Sequence, residues 1–321
     1  SESRCRTRGV QRFMTEIRTS VVIPTFRRLE SLTRAIDSVM AQENVRAEET
    51  ELLVVDNDAE RSARVVVERY GNAPIQVRYA SEPEPGVANV RNKAISEARG
   101  RLIAFLDDDQ SAPANWLAEI LSVYDKHKSA ITFGPVETAL PQESQLHERY
   151  FKKFFSRIGP EDTGVFDEFY GCGNSLFDLD QLPSDGPLFD ARSNETGGED
   201  DILFSKLDQA GHKFGWASKA PVFEHVPESR LLLRYTLRRA FAYGQAPTTI
   251  CARKTPRDIP GMAFWTLVGV GQAGLFGLMS VGMFMIRHPD RAFWFDRTAQ
   301  GLGKIFWFGP FEQRFYGAHA R

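Results

Sequence analysis

Short apolar runs rich in β-branched residues alternate with longer stretches of helical periodicity from Ser20 onward. The run SVVIPT is typical of a buried strand that ends at Pro24, and ELLVVDND is typical of a second strand that ends in acids. Between these runs, apolar side chains recur at helical spacing at Leu29, Leu32, Ile36, Val39 and Met40. The alternation predicts the parallel units of an α/β fold.

The same alternation continues up to the most acidic stretch of the chain. IQVRYA predicts a third strand, EPEPGVANVRNKAISEARG a loop and a helix capped near Gly100, and RLIAFL a fourth strand. Asp56 and Asp58 therefore follow one strand, and residues 107–109, all aspartate, follow another. Because open α/β sheets bind ligands at the carboxyl ends of their strands, we expect these acids to share a crevice.

The alternation weakens beyond Leu140, where an aromatic and charged segment to Phe169 predicts a covering lobe. GCGNSLF, KFGWA and PVFEHV predict short strands, and GGEDDILFSKLDQAG predicts a glycine turn followed by a helix. The sequence thus predicts a flexible arm over residues 1–18, an α/β domain over 19–227 and a helical region over 228–321.

The final region has a different composition. SRLLLRYTLRRAFAYG predicts a basic amphipathic helix with Arg230, Arg234 and Arg238 on one face. The stretch Ile259–Ile286 has no charged residue and is longer than the roughly 20 residues that span a bilayer. We expect this region to associate with a membrane, by spanning, re-entering or lying on it. A buried core helix, or a helix between two copies in a homo-oligomer, is the alternative.

Composition narrows the functional classes. The 321 residues are 42% hydrophobic and 26% charged, as in a folded protein with a substantial core. A formal net charge of -2 provides no overall field that recruits nucleic acid, so we expect no nucleic-acid partner. Three widely spaced cysteines without a CxxC pair argue against a disulfide framework or a zinc site, and they favour the cytoplasm. The polar, Arg-rich N-terminus lacks the apolar core of a secretory signal.

Three consecutive carboxylates follow the fourth strand in LIAFLDDDQ. Asp107, Asp108 and Asp109 repel one another, so we expect a positive partner beside them. Carboxylates at a sheet crevice suit a hard divalent cation such as Mg²⁺ or Mn²⁺. The alternative is a cap, from Asp109 or Ser111, for the helix that follows. A cap needs one acid rather than three, which favours the metal site.

Four ordered motifs resemble family 2 glycosyltransferases, which are inverting enzymes of the GT-A fold that use nucleotide-sugar donors. SVVIPTFRR resembles their opening strand and nucleotide loop, LLVVDND the strand end that contacts the nucleobase, LIAFLDDD the metal-binding DxD motif and GGEDDILF the ED motif. The resemblance covers Ser20 to Val226, and the chain is most similar to bacterial exopolysaccharide enzymes of the succinoglycan type. It implies a Rossmann-like, mostly parallel sheet flanked by helices, with a C-terminal helical membrane-associating region.

The resemblance also implies roles for individual residues. Asp107 and Asp109 correspond to the ribose and metal contacts, and Asp108 can take the place of either. His225 corresponds to a further metal ligand, although a lone histidine is often structural. The remaining implied donor contacts are Pro24, Thr25, Arg27, Asp56, Asp58, Arg91 and Asn92.

The resemblance implies that Asp200 is the catalytic base, with Glu199 positioning the acceptor or the base and Asp201 as the alternative base. The base would deprotonate an acceptor hydroxyl, which attacks the anomeric carbon opposite the leaving nucleoside diphosphate. The implied donor is a UDP-sugar with Mn²⁺ or Mg²⁺, and the basic, apolar C-terminal region predicts a lipid-linked glycan as the acceptor. From the dense basic residues before Ile259 we expect the catalytic domain on the cytoplasmic face of a bacterial inner membrane.

Two other functions fit parts of the sequence. An Asp-dependent phosphotransferase would also carry a DxD motif after a strand, although the chain lacks the matching downstream Lys and Thr pattern. A non-catalytic, membrane-associated nucleotide-sugar-binding partner of a polysaccharide synthase would retain the binding motifs. The complete set of acids in GGEDD favours glycosyl transfer over both.

Overall fold

The computed structural model describes residues 16–141, 146–194, 198–311 and 313. Most of the predicted N-terminal arm lies outside these residues. The first part of the described chain alternates strands and helices as the sequence predicts. In chain order the elements are β1 (Thr19–Thr25), α1 (Leu29–Met40), β2 (Thr50–Asp56), α2 (Arg64–Val67), β3 (Gln76–Ser81), α3 (Val87–Glu97) and β4 (Leu102–Phe105).

The second part contains shorter strands and then three helices without strands. The elements are β5 (Gln110–Ser111), α4 (Trp116–His127), β6 (Ile131–Phe133), β7 (Val136–Ala139), α5 (Glu148–Phe155), β8 (Gly164–Phe166), β9 (Ser175–Asp178), α6 (Glu199–Gln209), β10 (Phe214–Trp216), β11 (Val222–His225), α7 (Leu233–Arg253), α8 (Ile259–Met285) and α9 (Arg291–Ile305).

Eight of the described strands form one mostly parallel sheet in the order β3-β2-β1-β4-β9-β6-β10-β8. β9 lies antiparallel between β4 and β6, and β8 is the antiparallel edge. A small second sheet, ordered β5-β11-β7, pairs β11 with the residues that directly follow the three aspartates. This arrangement confirms the predicted fold class and brings the two ends of the α/β region together at the acids.

The sheet is buried on both faces, which explains the continuous apolar runs in its strands. Along β1, Val21 and Ile23 pack into one hydrophobic cluster, whereas Val22 packs into the other. This period of two is the geometry of an extended strand. In β2 all seven residues are buried. The core therefore holds the carboxyl ends of the strands in a fixed position.

Helices α7, α8 and α9 pack against one another after the sheet ends. Among the described residues, α8 is the one helix long and apolar enough to cross a membrane, and only 11% of its most apolar segment is buried. The predicted basic helix was wrong at its start: α7 begins at Leu233, and Arg230 lies in a separate 3₁₀ turn. Arg230 instead reaches towards Asp109 in the α/β region, so it does not share a helical face with Arg234 and Arg238.

Gly100 also differs from its predicted role as a helix cap. α3 ends at Glu97, and Ala98 already has extended geometry. A side chain at Gly100 would lie 2.6 Å from the backbone nitrogen of Ser20. The glycine is required because the chain passes close to β1, rather than because a helix ends there.

Candidate active site

The three aspartates form a tight turn after β4. The backbone N–H of Gln110 donates to the carbonyl of Asp107 at 3.0 Å, and the Gln110 side chain accepts from the Asp107 N–H at 3.1 Å. Trp116, the first residue of the next helix, comes several residues later. That helix takes no side-chain cap hydrogen bond at its start, so the acids do not serve as its N-cap.

Asp108 is buried against the loop that follows β1. Its carboxylate accepts a hydrogen bond from the Thr25 hydroxyl at 2.8 Å and one from the Arg28 guanidinium at 2.9 Å. Burial raises the pKa of Asp108 to about 6, and the positive charge of Arg28 opposes that rise. Asp108 therefore ties the acidic turn to the loop.

Asp109 has two arginine partners. Its Oδ2 accepts from Arg28 Nη1 at 2.9 Å and lies 3.4 Å from Arg230 Nη1. Its carbonyl accepts from the backbone N–H of His225 at 2.8 Å, which fixes β11 beside the turn. Sequence analysis expected a positive partner but not these two arginines. The doubled arginine in FRR was the available signal for Arg28.

Asp107 points to the other side of the acidic turn, towards the turn before β9 that carries Gly173. A side chain at Gly173 would collide with the carboxylate of Asp107. Burial raises the pKa of Asp107, Asp109 raises it further and Arg91 lowers it. The absence of a side chain at Gly173 thus creates the space in which this carboxylate sits.

The ED motif lies at the first turn of α6 and meets Arg91 of α3. Arg91 is buried and forms an ion pair with Glu199, and its Nη1 lies 3.8 Å from Asp200 Oδ2. The backbone N–H of Cys172 donates to the same Asp200 oxygen at 3.1 Å. Gly198 precedes the motif with a φ of 82°, a left-handed conformation that favours glycine.

The two acids of the motif differ in exposure. The side chain of Asp200 is 19% exposed, whereas that of Glu199 is 5% exposed and held by Arg91. Burial raises the pKa of Glu199, and Arg91 opposes the rise. Asp201 is exposed at the surface, and its backbone N–H donates to Asp200 Oδ1 at 3.0 Å. Asp200 is thus the acid of this group that is both positioned and accessible.

Asp56 and Asp58 lie at the carboxyl end of β2, on the same side of the sheet as the three aspartates that follow β4. Asp56 is fully buried and accepts from the backbone N–H groups of Asp58 and Ala63, at 3.0 and 2.9 Å, and from the Tyr79 hydroxyl at 3.1 Å. A hydrogen bond from Arg27 lowers the pKa of Asp58 to about 2. Both acids shape the loop, with Arg27 in a left-handed conformation at a φ of 54°.

Asn92 stands apart from the acids. Its amide donates to the carbonyl of Phe189 at 2.8 Å and accepts from the Phe189 N–H at 3.0 Å. The guanidinium of Arg91 lies over the Phe189 ring at 5.6 Å. Asn92 therefore holds the segment that packs against Arg91, while Arg91 itself joins the ED motif.

His225 lies beside the acidic turn at the end of β11. Its Nε2 is 2.7 Å from the Ser111 hydroxyl, and burial lowers its pKa. In the part of the chain that the structure describes, no three side chains of His, Cys, Asp or Glu are arranged to hold a metal ion. The carboxylates of Asp107 and Asp109 suit a hard divalent cation by their chemistry, so a donor diphosphate would have to complete its coordination.

Glu224 is a buried carboxylate that sequence analysis missed. Burial raises its pKa to about 7, and Arg157, whose Nη2 is 3.5 Å away, lowers it. Asp107 and Asp109 are close enough to raise the same pKa further. Its place on an alternating strand, one residue before His225, was the only sequence signal for it.

Comparison with known proteins identifies the family. Residues 20–178 match the family Glycosyl transferase family 2. The succinoglycan biosynthesis protein ExoM of Rhizobium meliloti is 30% identical over 233 residues, which cover 72% of this chain and 74% of ExoM. The glucosyl-dolichyl phosphate glucuronosyltransferase of Haloferax volcanii is 25% identical over 66% of this chain and 64% of its own length. The chain belongs to glycosyl transferase family 2.

Solved structures share the fold at low sequence identity. A mannosyltransferase from Pyrobaculum calidifontis, PcManGT, solved with GDP-Man and Mn²⁺, superposes with a TM-score of 0.60 at 18% identity, over 90% of this chain and 86% of that one. Residues 1–349 of TarS from S. aureus superpose with a TM-score of 0.53 at 17% identity, over 89% and 90% of the two chains. These similarities confirm the GT-A fold.

Proposed function

We propose that this chain transfers a sugar, with inversion, from a nucleoside-diphosphate sugar to a hydroxyl of a glycan acceptor in cell-surface polysaccharide synthesis. The observation that supports this most directly is that Asp200 and Glu199 both lie beside Arg91. The positive charge of Arg91 also lowers the pKa of Asp107. An accessible carboxylate, a buried arginine and a second acid group then lie close together beyond the carboxyl end of β4.

Asp200 is the proposed general base. Its Oδ2 is oriented by the Cys172 N–H, and its exposure leaves the carboxylate open to an acceptor hydroxyl. Arg91 and Glu199 hold each other inside the fold, so Glu199 keeps Arg91 in place beneath the base. The proton taken from the acceptor would move to Asp200 as the hydroxyl attacks the anomeric carbon.

Asp107 and Asp109 are the proposed ligands of Mn²⁺ or Mg²⁺, with His225 nearby. The cation would neutralise negative charge on the departing diphosphate. Arg28 and Arg230 hold Asp109 in place, and Thr25 and Arg28 hold Asp108. The proposed nucleotide contacts are Pro24, Thr25, Arg27, Asp56 and Asp58. UDP is the proposed nucleotide, in agreement with WfgD of E. coli, a UDP-Glc glucosyltransferase that is 31% identical over 37% of this chain.

The proposed acceptor is a lipid-linked glycan at the cytoplasmic face of a bacterial membrane. The exposed, uncharged α8 supports membrane association. The names of two relatives refer to lipid-linked sugars, a dolichyl phosphate in one and a diphosphoundecaprenol in the other. A chain bound to the membrane would meet such an acceptor where nucleotide sugars are made.

A thermal-shift screen of nucleoside diphosphates with and without Mn²⁺ tests the donor assignment. We expect one nucleotide to raise the melting temperature only when Mn²⁺ is present, since a ligand that binds the native state stabilises it by mass action. Asp109→Ala should lose this effect, and Asp208→Ala, an exposed acid on α6, should keep it. Unchanged stabilisation in Asp109→Ala would contradict the metal assignment.

Two further outcomes would favour the other candidate functions. A stable phosphoryl-enzyme after incubation with a phosphate donor would indicate the phosphotransferase. Tight Mn²⁺-dependent nucleotide binding, with no transfer and no hydrolysis of any nucleotide sugar, would indicate a non-catalytic binding partner of a synthase.

A further inference from the structure

One face of α8 is exposed along its whole length. Leu267 and Leu278 lie at the centre of this face and are 71% and 77% exposed. Phe264 and Leu275 flank the centre on one side, and Val270 and Val281 on the other, and all four are more than half exposed. At 100° per residue these six side chains cover an arc of about 140°. We call this surface the α8 face.

The opposite side of α8 is covered by α9, which runs antiparallel to it. Gln272 Nε2 donates to the carbonyl of Arg297 at 2.9 Å, and the hydroxyls of Ser280 and Thr298 are 3.1 Å apart. Closer to the start of α8, a side chain at Gly269 would lie 2.8 Å from the carbonyl oxygen of Gly301. α9 therefore returns along α8 from its end at Met285 to Gly269.

α7 packs on α9 in turn, so both flanks of α8 belong to one body. The Thr248 hydroxyl donates to the carbonyl of Lys304 at 3.1 Å, and a side chain at Gly303 would collide with the carbonyl of Phe241. The start of α9 is fixed to α5 through a hydrogen bond from Tyr150 to Asp296 at 3.0 Å. The helices before and after α8 thus contact each other and the catalytic domain.

This packing is incompatible with α8 crossing a bilayer by itself. α7 and α9 would have to accompany α8 through the hydrocarbon, together with Arg239, Asp296 and Arg297. Charged side chains at that depth are costly unless they line a pore or pair within a bundle. Length alone permits a span, but the neighbours of α8 keep both of its ends on the same side.

We infer that the α8 face inserts into one leaflet of an anionic membrane, with the helix axis parallel to the membrane plane. Basic residues flank both ends, with Arg257 before α8 and Arg287 after it, each exposed and suited to anionic headgroups. The arc is wider than the seam that a second helix would cover in a coiled coil. The acyl chains of one leaflet would contact the whole width of the α8 face. The inference rests on the proposed membrane association and specifies how α8 is oriented in the membrane.

The acids also lie close to the segment that leads into the helical region. Only a short segment, from Val226 to Leu232, connects β11 to α7, and within it Arg230 contacts Asp109. The acids are therefore joined through a few residues to α7, which packs on α9 beside the inserted helix. A sugar acceptor held at the membrane surface would reach the crevice without leaving the lipid.

Cysteine labelling on sealed vesicles tests the geometry. The full-length chain with Cys5→Ser would carry either Arg257→Cys or Arg287→Cys and be added outside vesicles of phosphatidylglycerol and phosphatidylcholine. We expect the vesicles to float with the protein and a membrane-impermeant maleimide outside to label both positions, above the background of the parent chain. Maleimide trapped in the lumen should label neither.

Every other pattern contradicts the inference. Labelling of one end only from the lumen would show that α8 spans the membrane. Failure to float, or a soluble dimer whose α8 face is protected, would overturn membrane insertion itself. Leu278→Glu should reduce vesicle binding by at least about tenfold, because it places a charge at the centre of the face, and Leu278→Met should not. Release of nucleoside diphosphate in solution, assayed in parallel, tests the proposed transfer reaction independently.

Discussion

Asp107, Asp108 and Asp109 are adjacent in sequence, yet their side chains have different surroundings. Asp108 and Asp109 share Arg28, whereas Asp107 lies on the side of Gly173 and Arg91. Mutual repulsion among the three carboxylates is reduced because arginines occupy the space on both sides of the turn. The turn therefore presents Asp107 and Asp109 separately, with Asp108 as the buried residue between them.

Gly173→Ala should reproduce the effect of Asp107→Ala. The added methyl group would occupy the position of the Asp107 carboxylate, so both variants should lose Mn²⁺-dependent nucleotide binding. Isothermal calorimetry with nucleoside diphosphate and Mn²⁺ measures this directly. Gly186→Ala is the matched control, because nothing lies within 4 Å of its new side chain. Wild-type affinity in Gly173→Ala would show that Asp107 does not act in binding.

Asp200→Asn should retain donor binding but lose transfer by a factor of roughly 10² or more, the usual scale for a positioned general base. Asp201→Asn should transfer at nearly the wild-type rate, since its side chain lies at the exposed surface. Initial rates of transfer at saturating donor distinguish the two variants. If Asp201→Asn abolishes transfer and Asp200→Asn does not, the assignment of the base is wrong by one residue.

Glu224 predicts a pH dependence of stability. Burial raises its pKa to about 7, above the value of about 4.3 expected in the unfolded chain. The folded state therefore binds the proton more tightly, and stability is full below about pH 4.3 and declines as the pH rises through 7. Asp108 contributes a decline of the same sign.

In metal-free buffer, Glu224→Gln should therefore gain stability relative to the wild type as the pH rises from 5 to 8. Urea unfolding at several pH values measures this difference. Glu137→Gln, an exposed acid on the neighbouring strand β7, should follow the wild-type curve. A Glu224→Gln curve parallel to that of the wild type would show that the carboxylate is not buried as described.

Several site residues could be predicted because they belong to sequence motifs. The other site residues could not, because contacts between distant segments of the chain bring them to the site. The structure brings Asp107, Glu199, Asp200 and Arg91 together. Arg230 and Glu224 become neighbours of the acids only because β11 pairs with β5. A sequence pattern carries no information about that pairing, so neither residue could be assigned from it.

At the scale of elements, hydrophobic periodicity predicted the strands and the long helices better than their ends. β1, β2 and β4 lie where apolar runs place them, because both faces of these strands are buried. The predicted start of α7 was wrong, because Arg230 has the spacing of a helical face but contacts Asp109 instead. A tertiary contact therefore determines where α7 begins, although the sequence is also compatible with a longer helix.

Close packing of α7 on α9 predicts opposite effects for the same substitution at two glycines. A side chain at Gly244 would collide with the carbonyl of Gln300, so Gly244→Ala should destabilise the helical region by about 1–3 kcal/mol. Gly271 has nothing within 4 Å, so Gly271→Ala should stabilise α8 by about 0.5–1 kcal/mol through helix propensity. Thermal unfolding in one detergent compares them. Equal effects would contradict the packing of α7 on α9.

For the whole molecule, the sheet and the three C-terminal helices form one connected unit. Arg149 pairs with Asp290 at 2.9 Å, Tyr150 bonds Asp296, and Arg230 contacts Asp109. The division into a catalytic domain over 19–227 and a helical region over 228–321 stays a prediction. These contacts join the two parts, and under the proposed membrane association the helices would hold the acids near the membrane.

The most direct test of the account is the stereochemistry of the first product. The full-length chain would be incubated with Mn²⁺, an α-linked nucleoside-diphosphate sugar and a glycan acceptor, and followed by proton NMR. The account predicts a β-linked product with one nucleoside diphosphate released per bond formed, and neither in Asp200→Asn. An α-linked product, or a covalent sugar-enzyme intermediate, would contradict direct attack by an acceptor activated at Asp200.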